Sequence, residues 1–182
     1  MIICIQGGGE FADECREMDQ YFLSLIPDIE ISIFAGASEH ERAAQLTSEN
    51  AIGYFSSLGR SAQRITDVRQ AQALVLPGGS PRLLLEALLP HRDFLAELPA
   101  IWGASAGAMV LASETYLPDR GVSLPGLGFL PGRVRPHASQ QEVAAPTPGV
   151  WALAEREGIV ASLAEMNGES EPRRLVRQFR KA

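Results

Sequence analysis

The sequence predicts an α/β protein with an open, mainly parallel sheet and helices on both faces. Along the first half of the chain, short apolar runs alternate with amphipathic stretches in the order strand, helix, strand, helix, strand, helix. This order is typical of parallel strands joined by crossover helices. Three of the apolar runs are followed by turns of glycine and other small residues. In open α/β sheets, such turns at the carboxyl ends of strands form the ligand-binding edge.

Each element has its own signal in the sequence. A continuous apolar run predicts a buried strand over 1–6, and apolar positions among acids predict a helix over 12–26 that Pro27 ends. Further strands are expected over 29–35, 64–68 and 73–77, and helices over 38–57, with a break at Gly53, and through 83–88. At 182 residues, the chain is expected to form a single domain, 1–182.

Composition and charge exclude several function classes. Hydrophobic residues make up 46% and charged residues 21%, and the net charge of −6 argues against a nucleic-acid surface. The C-terminal basic residues are expected to be a solvated strand and tail. Cys4 and Cys15 lack the spacing of metal sites or disulfide frameworks, so both are expected to be reduced core residues. No metal or cofactor is expected.

The N-terminus carries no signal for export or for a membrane. Met1 is followed by no basic region, and Gly7 interrupts the apolar run too early for a signal peptide or a membrane span. We therefore expect a cytoplasmic protein with no membrane partner. The oligomeric state stays open, with a homodimer among the alternatives.

The stretch from Ile101 to Ala112 indicates a nucleophile at Ser105. An apolar run meets the small residues Gly103, Ala104, Ala106 and Gly107 around this serine and then continues as a helix-forming segment. A sharp strand-to-helix turn needs such small residues if it is to expose one hydroxyl in a cleft. The alternative is that Ser105 only caps the helix, because serine is a preferred N-cap residue.

Two glycine turns flank this stretch in the predicted sheet. Backbone amides of Gly79 or Ser80, together with that of Ala106, would form a two-donor oxyanion hole beside Ser105. The same glycines are equally consistent with a plain strand-to-helix turn. The Gly7–Gly9 turn lacks the full dinucleotide fingerprint, so it is interpreted as close backbone approach beside the cleft.

His137 is the candidate general base. It closes an apolar strand directly after Pro136, which restrains the backbone before the imidazole, whereas His40 lies in a charged helical stretch and His91 at a helix end. A base must lie within about 3 Å of its nucleophile. The alternative is a surface histidine without a role.

Together, Gly78-Gly79, the block from Gly103 to Ala108 and the segment from Gly126 to His137 resemble peptidase family S51, the family of dipeptidase E and cyanophycinase. The resemblance implies a class I glutamine amidotransferase-like, flavodoxin-like three-layer sandwich. It also implies a serine hydrolase with a Ser105, His137 and acid triad and an acyl-enzyme, acting on a small aspartyl peptide. Cysteine-dependent amidotransferase chemistry is disfavoured, because the turn carries serine.

Several features depart from that family or stay open. The family's Gly-Gly-Asn or Gly-Gly-Asp appears as Gly78-Gly79-Ser80, and the chain is short. By resemblance the third triad member is Glu155, with Glu157, on the same face if the segment is a strand, and Asp119 as alternatives. Candidates for binding an aspartyl side chain are Arg82, Arg133 and Arg135. A non-catalytic binding module on the same scaffold is the alternative function.

Overall fold

The computed structural model describes residues 1–163 and 177–179. Strands and helices alternate through the first two thirds of the chain, as the apolar runs predict. The strands are β1 (Ile2–Gln6), β2 (Ile31–Ile33), β3 (Ala62–Arg64), β4 (Ala73–Leu76), β5 (Ala100–Ala104), β6 (Ala112–Leu117), β7 (Val122–Pro125), β8 (Leu130–Arg135), β9 (Val150–Ala152), β10 (Gly158–Ser162) and β11 (Arg177–Phe179). The α-helices are α1 (Arg16–Ser24), α2 (Glu41–Ser57), α3 (Pro81–Leu88), α4 (Arg92–Ala96), α5 (Ala106–Leu111) and α6 (Gln140–Ala144).

The main sheet has seven strands in the order β11-β10-β1-β5-β4-β2-β3. Five of them, from β1 to β3 in that order, run parallel, and β10 and β11 continue the sheet antiparallel beyond β1. The carboxyl ends of β1, β4 and β5 therefore meet at one edge, which is where the glycine-rich turns lie.

Helices cover both faces of this sheet because successive side chains of each strand point to opposite sides. Cys4, Val75 and Trp102 pack in one cluster with α1 and α2, whereas the neighbouring Leu76 and Ile101 pack in a second cluster with α3, α4 and α5. Burial on both faces explains the continuous apolar runs in the sequence. The predicted fold class is confirmed.

A second, four-stranded sheet was not predicted. Its order is β7-β6-β8-β9, with β6, β8 and β9 parallel and β7 antiparallel at the edge. Its residues Leu117, Leu130 and Val134 belong to the same buried cluster as Leu76 and Ile101 of the main sheet. The two sheets therefore share one hydrophobic core, and the segment that precedes His137 is a strand of the second sheet.

Three of the predicted element boundaries are wrong for identifiable reasons. The strand expected over 64–68 lies over Ala62–Arg64, because the side chain of Asp67 accepts from the Arg69 N–H and caps a 3-10 turn. Helix α2 runs unbroken through Gly53, since one exposed glycine costs a helix only about 1 kcal/mol. The helix expected over 12–26 begins as a 3-10 turn, and its α-helical part is Arg16–Ser24.

Cys4 and Cys15 are buried free thiols, as expected. Burial raises the pKa of the Cys15 thiol to about 12 and raises that of Cys4 as well, so neither thiol forms a reactive thiolate at neutral pH.

Of the C-terminal basic residues, the backbone of Arg177 lies in β11 and the others fall outside the described residues. Within the described part of the chain, no helix is long and apolar enough to cross a membrane.

A fully buried carboxylate, that of Asp19, joins α1 to the centre of the main sheet. Its Oδ1 accepts hydrogen bonds from Gln6 Nε2 and Trp102 Nε1, both at 2.8 Å, and its Oδ2 accepts one from the Tyr54 hydroxyl at 2.6 Å. Removal from water raises the pKa of Asp19 to about 6, although the three hydrogen bonds oppose that shift.

Because of this carboxylate, we expect the free energy of unfolding to decrease as the pH rises. The native state keeps the Asp19 proton up to about pH 6, whereas an unfolded aspartate releases it near about pH 3.9. The contribution of Asp19 to the free energy of unfolding is therefore full below about pH 4 and is lost as the pH rises to about 6.

Asp19→Asn removes this titration but can still accept from Gln6 and Trp102 through its amide oxygen. Urea unfolding of both proteins should be measured at several pH values. Between pH 4 and pH 7, the free energy of unfolding of the variant should rise relative to that of the wild type by up to about 3 kcal/mol. If the difference in free energy of unfolding between the two proteins does not change with pH, the raised pKa of Asp19 is contradicted.

Candidate active site

Ser105 lies on a strained turn between β5 and α5. Its φ of 49° is in the left-handed region, and its N–H donates to the Gln6 carbonyl of β1 at 3.0 Å. A Cβ on Gly103 would come within 2.6 Å of the Gly107 backbone, and one on Gly107 would overlap the Leu76 carbonyl. The small residues are therefore required for this turn, as the sequence predicts. Such backbone strain typically costs about 1–3 kcal/mol and concentrates at functional sites.

His137 follows β8, in the loop where the second sheet meets the glycine turn after β1. Its φ is 52°, and its N–H donates to the Gly7 carbonyl at 2.8 Å. The imidazole Nε2 lies 2.9 Å from Ser105 Oγ, which is hydrogen-bonding distance. The two residues are 32 positions apart in the chain. They meet because the loop after β8 is bonded to the glycine turn after β1, and the end of β1 lies beside the end of β5.

Glu155 lies on the other side of the imidazole. Its Oε1 is 3.2 Å from His137 Nδ1. The next residue, Arg156, stabilises the turn that carries Glu155. Its N–H donates to the Gly8 carbonyl at 2.7 Å, and its Nη1 pairs with Glu14 Oε1 at 2.6 Å. The structure thus brings the hydroxyl, the imidazole and one carboxylate into a continuous chain of hydrogen bonds.

The other two candidate carboxylates do not reach the imidazole. Residues 154–157 form a turn between β9 and β10 rather than a strand, so Glu155 and Glu157 do not share a face. Glu157 is 3% exposed, and its carbonyl accepts from the Gly7 N–H at 3.0 Å. Asp119 is exposed, and its Oδ2 lies 4.0 Å from Arg120 Nε. Among these three carboxylates, only Glu155 contacts His137.

Gly79 and Ala106 both line the cavity beside Ser105. Within the described part of the chain, the N–H groups of these two residues have no protein acceptor. Ser80, the alternative donor in the sequence interpretation, gives its N–H to the Ala37 carbonyl at 2.9 Å. Two residues with unpaired amides, at the ends of β4 and β5, thus line the cavity beside Ser105.

The cavity next to Ser105 has a volume of about 570 Å³. The second sheet and α6 form much of its wall, which includes the charged residues Arg133, Arg135 and Glu142. Arg135 Nε lies 3.4 Å from Glu142 Oε1, and Arg133 Nη1 lies 3.8 Å from Glu114 Oε1. Arg82, the third arginine considered from the sequence, is absent from this wall and is paired with Glu86.

Sequence reasoning missed Glu142. Ser139 and Glu142 form a reciprocal capping box that starts α6, with the Ser139 N–H donating to Glu142 Oε2 at 2.8 Å. The Ser-x-x-Glu pattern that signals such a box is present in the sequence. It would have predicted a helix here, although not that the helix borders the cavity.

Gly8 controls the position of the imidazole. A Cβ at this residue would overlap the His137 ring. We expect Gly8→Ala to push the ring out of line with Ser105 and to lower kcat by about 10- to 100-fold, because small misplacements of a catalytic group cost this much.

The matched control for Gly8→Ala is Gly59→Ala. Gly59 also has a positive φ, but nothing lies within 4 Å of the added carbon. This control should keep its rate of hydrolysis, and thermal unfolding of both variants measures the stability that each one loses. Equal rates in the two variants would contradict the role of Gly8.

Over 1–163 and 177–179, no three His, Cys, Asp or Glu side chains are grouped so that they could hold a metal ion.

Two solved structures share this architecture. A peptidase from an acI-B1 Actinobacterium superposes with a TM-score of 0.71 at 19% identity, covering 88% of this chain and 82% of that one. A candidate peptidase E protein from Listeria monocytogenes superposes with a TM-score of 0.66 at 16% identity, covering 88% of this chain and 93% of that one. The chain shares the fold of these two proteins. The resemblance to peptidase family S51 is thus confirmed at the level of the fold.

Sequence comparison adds a partial match. A segment of 95 residues is 39% identical to the pyridoxal 5'-phosphate synthase subunit PdxT of Deinococcus radiodurans. The match covers 46% of this chain and 46% of that protein. It agrees with the amidotransferase-like fold expected from the sequence. No protein-family model matches the chain.

Proposed function

We propose that the protein is a serine peptidase that cleaves peptide bonds next to aspartate in small substrates, as dipeptidase E or cyanophycinase does. The observation that carries the proposal is the chain of contacts from Ser105 Oγ through His137 to Glu155, with distances of 2.9 and 3.2 Å. Nucleophile, base and orienting acid at these distances are the arrangement that acyl transfer requires.

Each residue has a defined part in the proposed reaction. The Glu155 carboxylate accepts the Nδ1–H of His137, so that Nε2 is the nitrogen free to take a proton. Ser105 attacks the scissile carbonyl while its proton passes to His137 Nε2, and the tetrahedral oxyanion accepts hydrogen bonds from the N–H groups of Gly79 and Ala106.

The imidazolium completes the first half of the reaction. It gives the proton to the leaving amine, and the acyl group stays on Ser105 as an ester. A water molecule, deprotonated by His137, then attacks the ester. The acyl group leaves as the free acid, and the proton returns to Ser105.

The preference for aspartate is supported by two arginines of the cavity wall, although each lies 3.4 to 3.8 Å from a carboxylate of this chain. Arg133 and Arg135 border the space beside Ser105, and a guanidinium can bind a carboxylate through two parallel hydrogen bonds. A cavity of about 570 Å³ suits a small ligand rather than a long polypeptide.

A panel of dipeptides tests the proposal. Peptides that differ only in the N-terminal residue should be compared, with aspartyl, β-aspartyl, glutamyl, asparaginyl, lysyl and alanyl members and with free glutamine as the amidotransferase control. We expect the highest kcat/KM for an aspartyl or β-aspartyl peptide and no release of ammonia from glutamine. Binding of these peptides without turnover would instead favour a non-catalytic binding module on the same scaffold.

A further inference from the structure

We propose that Glu10 is a positioning residue that aims the oxyanion-binding turn at the nucleophile. Its Oε1 accepts the Gly78 N–H at 2.9 Å. The inference rests on the proposed function but can be tested apart from it. Glu10 directly follows the Gly7–Gly9 turn.

Three consecutive N–H groups in the turn after β4 differ in their hydrogen-bond acceptors. That of Gly78 donates to Glu10, and that of Ser80 donates to the Ala37 carbonyl at 2.9 Å. The Gly79 N–H between them has no protein acceptor among the described residues, and Gly79 lines the cavity. Two anchored amides therefore fix the peptide unit whose N–H stays free for a ligand.

Glu10, the turn and the nucleophile meet at one point. A Cβ built on Gly78 would lie 3.0 Å from Glu10 Oε1 and 3.3 Å from the Cβ of Ser105. Because the turn packs this closely against Ser105, a small rotation about Gly78 would move the Gly79 N–H relative to the reacting carbon. Hydrogen bonds to a developing oxyanion depend on such placement.

The turn that precedes Glu10 is held in place by hydrogen bonds to three of its carbonyl groups. In the Gly7–Gly9 turn, the Gly7 carbonyl accepts from the His137 N–H, the Gly8 carbonyl from the Arg156 N–H, and the Gly9 carbonyl from the Cys15 thiol. The segment that holds the base and the segment that holds the oxyanion turn are thus the same four residues. The structure places Glu10 as the link between them.

The bond requires an acceptor oxygen but not a negative charge. A carboxylate beside a developing oxyanion opposes it electrostatically, so the charge itself does not help the reaction. Glu10→Gln keeps an acceptor oxygen at the same position, whereas Glu10→Ala removes it. The two variants therefore separate the hydrogen bond from the charge.

Amide hydrogen exchange measured by NMR tests the anchor without any need for activity. In Glu10→Ala, exchange at Gly78 should accelerate at least tenfold and the Gly79 resonance should shift, while Glu10→Gln should keep both close to wild type. Glu30→Ala is the matched control, since Glu30 also accepts hydrogen bonds but precedes β2 at the opposite edge of the sheet. Unchanged exchange at Gly78 in Glu10→Ala would overturn the proposal.

Kinetics test the consequence of the anchor. We expect Glu10→Ala to lower kcat by about 10- to 100-fold with KM little changed, and Glu10→Gln to restore most of the rate. A wild-type kcat in Glu10→Ala would overturn the positioning role even if exchange at Gly78 had changed. A wild-type protein that hydrolyses nothing would refute the proposed function alone, because the exchange data would still decide whether Glu10 holds the turn.

Discussion

Ser105→Ala is expected to reduce hydrolysis of the preferred peptide by about 10⁴- to 10⁶-fold, the usual cost of losing a triad nucleophile. The side-chain contact that the variant loses is the bond from Oγ to His137 Nε2. The φ of 49° is no more costly for alanine than for serine. The effect should therefore be confined to kcat, with thermal unfolding and peptide binding close to wild type.

A serine outside the cavity provides the control for this variant. The Ser113 hydroxyl donates to the Gly132 carbonyl at 3.1 Å, and Ser113 is absent from the cavity wall. Ser113→Ala should keep the wild-type rate. Turnover by purified Ser105→Ala within tenfold of wild type would exclude this serine as the nucleophile.

Glu155→Gln should lower kcat by about 10²- to 10⁴-fold. An amide can present its NH₂ to His137 Nδ1 and so favour the tautomer whose Nε2 carries the proton and cannot accept one from Ser105. For a buried aspartate in the analogous place, the loss is about 10⁴-fold. The Glu155 side chain is 62% exposed, so we expect the lower part of the range.

Two other carboxylates provide the controls for Glu155→Gln. Asp119→Asn and Glu157→Gln should change kcat by less than about threefold, because neither carboxylate contacts the imidazole. The loss from Glu155→Gln should also be non-additive with that from His137→Ala, since residues that act as one unit fail together. A large loss in Asp119→Asn and none in Glu155→Gln would mean that the acid has been misassigned.

Local signals made part of this site predictable. Ser105 stands out because the turn requires small residues on both sides, and that requirement is visible in the sequence itself. His137 differs from His40 and His91 in the sequence because it directly follows Pro136 at the end of a predicted strand. The structure brings Ser105 and His137 together although their strands belong to different sheets, and the second of these sheets was not predicted.

Glu155 and Glu157 could not be separated by sequence pattern. Spacing of two would place both on one face of a strand, but Arg156 adopts a φ of 63° and the segment turns. That turn is stabilised by the bond from the Arg156 N–H to the Gly8 carbonyl, a contact between residues far apart in the chain. Long-range backbone contacts of this kind have no local sequence signal.

The second sheet was missed for a related reason. Strand β7 is fully exposed, and β8 alternates buried and exposed positions around Pro131 and Gly132, so neither has the continuous apolar run of the main sheet. Glu10 was missed because its acceptor role depends on Gly78, which is 68 residues away. The fold class could be predicted from patterning, whereas the walls of the cavity depend on tertiary contacts.

Labelling with a fluorophosphonate probe tests the central claim most directly. The probe forms a covalent bond only with a serine that a neighbouring base activates. We predict one adduct per chain by intact-protein mass, located at Ser105 by peptide mapping, absent in Ser105→Ala and much slower to form in His137→Gln. No adduct on the folded wild-type protein, or an adduct at any other serine, would contradict the account.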